Sequence, residues 1–224
     1  MIGVPMPPYK WGELMPQSPT AALIGLMNVC SAPLATASFG YDTSGATAAI
    51  NSTTAATDGT NGGIICTTAN TNVYRGDQNA YMYSRFESNK TSSDRIFIGF
   101  TSTATTLPNS ADTILDALSG AGLCIRTTDT VYQFCSNDGT GATAYASLTT
   151  TQDAGAVHYF EVYSYDEGTT WCGALDGGTP VCSSTATDIP APTTRMYAMS
   201  SGETVGGVTG ITWTQYLMFT RNDQ

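Results

Sequence analysis

The sequence predicts an all-β protein, an antiparallel two-sheet sandwich or jelly roll, on three observations. Short runs of β-branched and aromatic residues recur at close spacing between Gly, Asp and Asn turns. From Ala80 onward the runs alternate, with Ala80, Met82, Ser84 and Phe86 on one face and Tyr81, Tyr83 and Arg85 on the other; Ile96, Ile98 and Phe100 repeat the pattern. The 37 Thr and 19 Ser make up a quarter of the 224 residues, giving a hydroxyl-rich surface on residues that favour strands. A chain of this length can bury one large β core and carry a small appendage.

The appendage comes first. Six of the ten prolines, Pro5, Pro7, Pro8, Pro16, Pro19 and Pro33, fall in the first 33 residues, which excludes a central strand there. Residues 1–35 therefore read as an extended N-terminal arm, and Pro5, Pro7, Pro8, Tyr9 and Trp11 as the assembly segment of a homo-oligomer, lying on a neighbouring subunit or else packed on its own domain. Residues 36–224 form the sandwich domain. Short strands with generous loops are expected up to residue 79. One short helix is expected near 110–118: Asn109 can cap it, Asp112 meets the positive end of its dipole, and Gly120 supplies a left-handed exit. Strands follow near 122–127, 131–136, 142–148, 157–165, 169–175, 179–184, 193–199 and 211–220.

Six cysteines with no C-x-x-C spacing and a single histidine, His158, point to disulfides rather than a zinc site. In the hairpin from Trp171 to Cys182, a three-residue loop Asp176-Gly177-Gly178 with a left-handed glycine sets Leu175 opposite Thr179 and Cys172 opposite Cys182. A bridge there closes a loop worth about 2.5–3 kcal/mol in the chain-entropy picture. A turn centred on Asp129-Thr130 sets Cys124 opposite Cys135, and Cys30 pairs with Cys66 by elimination.

The balance of 8 Lys+Arg against 18 Asp+Glu gives a net charge of -10, acidity that comes from a shortage of bases and argues against nucleic acid and anionic membranes as partners. The first residues lack the pattern of a secretory leader, and no apolar run is long enough for a membrane helix. Disulfides without a leader fit a viral structural protein oxidised after release from its host cell, or a processed chain.

Catalytic signals are weak. The five glutamates, Glu13, Glu87, Glu161, Glu167 and Glu203, share no motif, and G-x-S-x-G, Walker A, H-E-x-x-H and dinucleotide fingerprints are absent. His158 sits on one strand face with Phe160 and Val162, which assigns it a structural role. Asp138-Gly139-Thr140-Gly141 could help hold calcium, but a turn is the better reading, and no cofactor is expected. Trp213, flanked at period two by Ile211 and Leu217, reads as core. Tyr81, Tyr83, Tyr163 and Tyr165 are assigned to an accessible face, where they serve a subunit interface or a glycan.

The segments Arg95-Ile96-Phe97-Ile98-Gly99-Phe100, Gly122-Leu123-Cys124-Ile125-Arg126, Asn137-Asp138-Gly139-Thr140-Gly141 and His158-Tyr159-Phe160-Glu161-Val162 carry a resemblance that continues through Leu175-Asp176-Gly177-Gly178, Ile189-Pro190-Ala191-Pro192 and the strand from 210 to 219. Together they resemble the concanavalin A-like, laminin-G-like β-sandwich domains found in virion surface and tail-fibre proteins of phages and archaeal viruses. The resemblance implies a concanavalin A-like jelly roll. The calcium and glycan ligands of that family do not carry over, because no Asp/Asn motif matches position by position. The leading expectation is a non-enzymatic virion structural protein, a capsid-surface, decoration or tail-fibre component on the virion surface, with itself and other virion proteins as partners. Two alternatives stand beside it: a carbohydrate-binding receptor-recognition module for a host glycan, and a subunit of an extracellular filament using strand donation.

Overall fold

The computed structural model describes residues 30–34, 38–42, 49–53, 60–66, 74–88, 94–103, 114–153, 155–204 and 212–221. These form two seven-stranded antiparallel sheets. In the first, the order is β1 (Cys30–Leu34), β4 (Thr60–Cys66), β13 (Tyr197–Thr204), β6 (Asp94–Thr101), β7 (Ser119–Ile125), β8 (Val131–Asp138) and β9 (Ala144–Thr151). In the second it is β12 (Val181–Ser183), β11 (Thr170–Leu175), β10 (Val157–Tyr165), β5 (Tyr81–Ser88), β14 (Thr212–Arg221), β3 (Ala49–Thr53) and β2 (Ser38–Asp42). The fold is the jelly-roll sandwich that the alternation predicts.

The core lies between the sheets. Met82 and Phe86 of β5, Phe160 and Val162 of β10 and Trp171 of β11 meet Ile96, Ile98, Phe100, Leu123 and Phe134 of the first sheet, all fully or nearly fully buried. The sheets approach closely at Gly173, where an added Cβ would stand 2.5 Å from the Phe134 ring. The first sheet also buries part of its outer face. Phe97, Cys124, Cys135 and Met199 form a second apolar cluster there, closed over by Ile114 and Leu115.

That cover differs from the expected helix. Residues 104–113 lie outside the described residues, and 114–118 make a turn, with Leu118 N–H donating to Leu115 O at 2.9 Å and Ala117 at φ 58°. The amides of Ile114 and Leu115 donate to the Tyr145 hydroxyl and Thr143 Oγ1, which satisfies them without a helical ladder. Gly120, read as the helix exit, lies in β7 opposite Thr101.

One further expectation shifts in register. The turn between β7 and β8 is centred one residue earlier than predicted, so Cys124 lies opposite Gln133 and Cys135 opposite Gly122. Asp129 is the cause, since its carboxylate accepts from the Arg126 amide at 2.9 Å and pairs with the Arg126 guanidinium, fixing the turn from within. A slip of two keeps both cysteines on one face, and a diagonal disulfide joins them with Cα atoms 5.8 Å apart. In the other hairpin Cys172 lies directly opposite Cys182 and is bonded to it. Its loop has two left-handed residues rather than one, Asp176 at φ 52° and Gly177 at φ 70°, with Gly178 N–H donating to Leu175 O at 2.8 Å.

The first sheet begins at Cys30, inside the predicted arm. β1 is an edge strand whose register shifts between Ser31 and Leu34, around Pro33, where a missing N–H is tolerated. The backbone register sets Cys30 opposite Cys66. Pro5, Pro7, Pro8, Tyr9 and Trp11 lie outside the described residues.

Candidate functional site

The outer face of the second sheet differs from that of the first. On β5 the residues Met82, Ser84, Phe86 and Ser88 point inward and Tyr81, Tyr83, Arg85 and Glu87 outward; on β10 the inward set is His158, Phe160, Val162 and Ser164. The register then places Tyr163 opposite Tyr81, Glu161 opposite Tyr83 and Tyr159 opposite Arg85. An aromatic and acidic surface results on two central strands. The four tyrosines assigned to an accessible face therefore share one sheet face. Tyr163 and Tyr165 have ring centroids 6.3 Å apart, and Tyr165 and Tyr159 are the large apolar side chains most open to solvent among the described residues.

An open cleft of about 510 Å³ lies on this face, lined by Tyr83, Val157, Tyr159, Glu161 and Ala174, with the Asp176-Gly177 turn as one wall. The Tyr83 and Tyr159 rings lie 6.2 Å apart between centroids, tilted by 36°, and Arg85 lies over the Tyr159 ring. Burial pushes the Tyr83 hydroxyl above its ordinary value, and Tyr159 and Glu161 add to the effect against the opposing pull of Arg85. Tyr163 is raised by burial and then by Glu161. Glu161 is itself raised by burial, offset in part by a hydrogen bond from the Tyr81 hydroxyl. These phenols stay protonated at neutral pH and can donate and accept hydrogen bonds.

The wall is held by a small network. Asp176 N–H donates to Tyr159 O at 2.7 Å, and the Asp176 carboxylate accepts from Tyr159 N–H at 2.8 Å, continuing the β10–β11 ladder by one rung with a side chain. Its other oxygen meets His158 Nδ1 at 2.8 Å, while His158 Nε2 meets Asp153 at the same distance. The ring is nearly buried, edge-on to Tyr132 at 4.8 Å. His158 thus ties the loop before β10 to the loop after β11, with both ring nitrogens engaged by carboxylates. Asp176 tolerates its left-handed backbone because these bonds over-determine it.

Sequence reasoning missed Tyr159, Glu161 and Asp176 as a group. The parity that selected Tyr163 and Tyr165 on β10 also selects Tyr159, so that residue was within reach. Asp176 was not, since its place beside Tyr159 follows only from strand pairing across the hairpin. Trp171 is core, fully buried against Phe100 at 5.9 Å, and the Trp213 and Trp11 side chains lie outside the described residues. Asp138 turns its carboxylate to Thr140 N–H and Oγ1, both at 2.8 Å, closing its own loop; its pKa is lowered first by that backbone hydrogen bond. Among the described residues no group of three or more His, Cys, Asp or Glu could hold a metal ion.

The sequence matches no family model and no curated protein. Solved structures do match the fold. The carbohydrate recognition domain of Emp47p superposes with a TM-score of 0.60 at 10% identity, over 88% of this chain and 90% of that one. Alginate lyase A1-II', a member of polysaccharide lyase family 7, gives 0.60 at 12% identity over 83% of each chain. The exoplasmic/lumenal domain of VIP36, in a form bound to calcium and Man3GlcNAc, gives 0.58 at 13% identity over 88% of this chain and 85% of that one. At these identities the likeness establishes the fold, a concanavalin A-like jelly roll.

Proposed function

We propose that this protein is a carbohydrate-binding domain that holds a glycan against the outer face of its second sheet, without turning it over. The cleft between Tyr83 and Tyr159 carries this reading. A sugar ring presents a face of polarised C–H bonds, which an aromatic face attracts, and a rim of hydroxyls, which Glu161 and the phenols can bind. Both chemistries meet here on a rigid pair of central strands. The same fold serves the carbohydrate recognition domain of Emp47p and the glycan-bound VIP36 domain, which supports the reading. The Tyr83 phenol, raised by burial, is a poor general base, and Asp176 has both oxygens engaged; binding rather than catalysis suits such a surface.

A virion surface is a setting in which such a face would meet a host glycan. Assembly through an arm rests on residues 1–29, which lie outside the described residues.

A glycan array probed with the full chain tests the proposal. Wild type is expected to bind at least one glycan class, and Tyr83→Ala and Tyr159→Ala each to weaken that binding by about tenfold while melting like wild type. An array with no bound glycan, or variants that bind as wild type does, refutes it.

A further inference from the structure

The charge of the cleft selects among glycans. Its lining holds two carboxylates, Glu161 and Asp176, and no basic residue, and Arg85 beside it lies over the Tyr159 ring. Asp176 is committed at both oxygens to the Tyr159 amide and His158. Glu161 accepts from the Tyr81 hydroxyl, and a carboxylate has room for further donors. Half-buried among Tyr81, Tyr83, Tyr159 and Tyr163, it has lost much of its hydration and stands to gain from a cation brought alongside.

We propose that the cleft prefers glycans whose sugars carry a free, protonated amino group, with Glu161 as the partner of the ammonium and the faces of Tyr83 and Tyr159 as its flanks. This rests on the glycan reading above and names the ligand class for that site. Three independent features converge on it. A carboxylate in a partly desolvated setting makes a charge-assisted hydrogen bond about twice as strong as a neutral one. The Tyr83 and Tyr159 rings line the same cleft, and a ring face open there adds cation–π attraction for a group standing against it. The net charge of -10 draws cations toward the surface before contact. The same arrangement disfavours acidic sugars, whose carboxylates would face Glu161 and Asp176 across the cleft. An N-acylated amine keeps its hydroxyl contacts but loses the ion pair.

Calorimetric titration of the full chain with short β-1,4 oligomers tests this, using glucosamine, N-acetylglucosamine and uronic acid oligomers of equal length over a pH series from mildly acidic to neutral, since acid protonates the raised Glu161 carboxyl as well as the amine. The glucosamine oligomer is expected to bind about tenfold or more tightly than the N-acetylated one, with the margin shrinking in high salt, and the uronate oligomer to bind most weakly. Glu161→Gln, which keeps the shape of the side chain, should erase the margin, bringing the glucosamine oligomer down to the affinity of the N-acetylated one. Equal binding of the two oligomers, or a margin that survives in Glu161→Gln, overturns the preference and leaves glycan binding standing. Lysine homopolymer bound as tightly as the glucosamine oligomer also overturns it, since charge alone would then suffice. No binding of any of the three oligomers by wild type overturns the preference, while the glycan reading is decided by the array.

Discussion

Glu161 sets the electrostatic character of the outer face, and its effect on stability has a definite sign. Burial raises its pKa in the folded chain, so the folded state holds that proton more tightly than the unfolded state does. The resulting contribution to stability is fully present below the ordinary carboxylate value and is lost as pH rises through the raised folded value. Glu161→Gln should therefore melt higher than wild type at neutral pH and together with it in acid. A pair of melting series across pH checks this, and identical neutral-pH midpoints would contradict it. Asp176 differs from Glu161 in its partners. Its carboxylate joins His158 and the Tyr159 amide, so the negative charge there is satisfied within the protein, and Glu161 is the acidic group on the lining with acceptor capacity to spare.

The β11–β12 hairpin is the element that links robustness to the site, because its turn is the cleft wall and its disulfide lies on the same sheet face as Ala174. Cys172→Ala combined with Cys182→Ala should lower stability by about 2.5–3 kcal/mol, a fall of about 5–12 °C in melting temperature for a chain of this size. Calorimetry of the oxidised and double-alanine proteins measures it; an unchanged midpoint would show that the turn alone fixes the hairpin. This element was legible in the sequence because period-two alternation and turn chemistry are both local, and the Cys172–Cys182 rung follows by counting. The β7–β8 turn was legible only to within one residue, since Asp129 recentres it through a side-chain contact that alternation does not encode. The expected helix near 110–118 drew on capping residues, whereas the described turn is shaped by Tyr145 and Thr143, which lie 28 to 31 residues away in sequence. The tyrosine face was readable from parity. The cleft was not, because it needs β5 beside β10, a pairing of residues 81 to 87 with 157 to 163.

At the scale of the molecule the two sheets have different outer faces: one is sealed by the apolar turn at 114–118, and the other presents tyrosines and acids. Both sheets are stitched by remote pairings. Ser88 pairs with Trp213 and Asp94 with Thr204, so neither sheet is complete until the end of the chain has arrived. Such topologies fold in about milliseconds to seconds, limited by loop closure. The two disulfides described here are different in kind. Each joins cysteines only 10 or 11 residues apart within a single hairpin. The chain thus contains a hierarchy of encounters, in which the cysteines of each hairpin meet by local loop closure ahead of the slow search that joins the sheets, and a strong oxidant can trap that order covalently. In refolding of the reduced chain under a strong oxidant, acid-trapped intermediates should carry the Cys172–Cys182 link before the fluorescence of Trp171, read in a Trp11→Phe/Trp213→Phe background, reports a buried core. Core burial ahead of either link would reverse that order. A hairpin locked early also arrives at the sheet with its register already chosen, so the wall of the cleft is built before the face it borders exists.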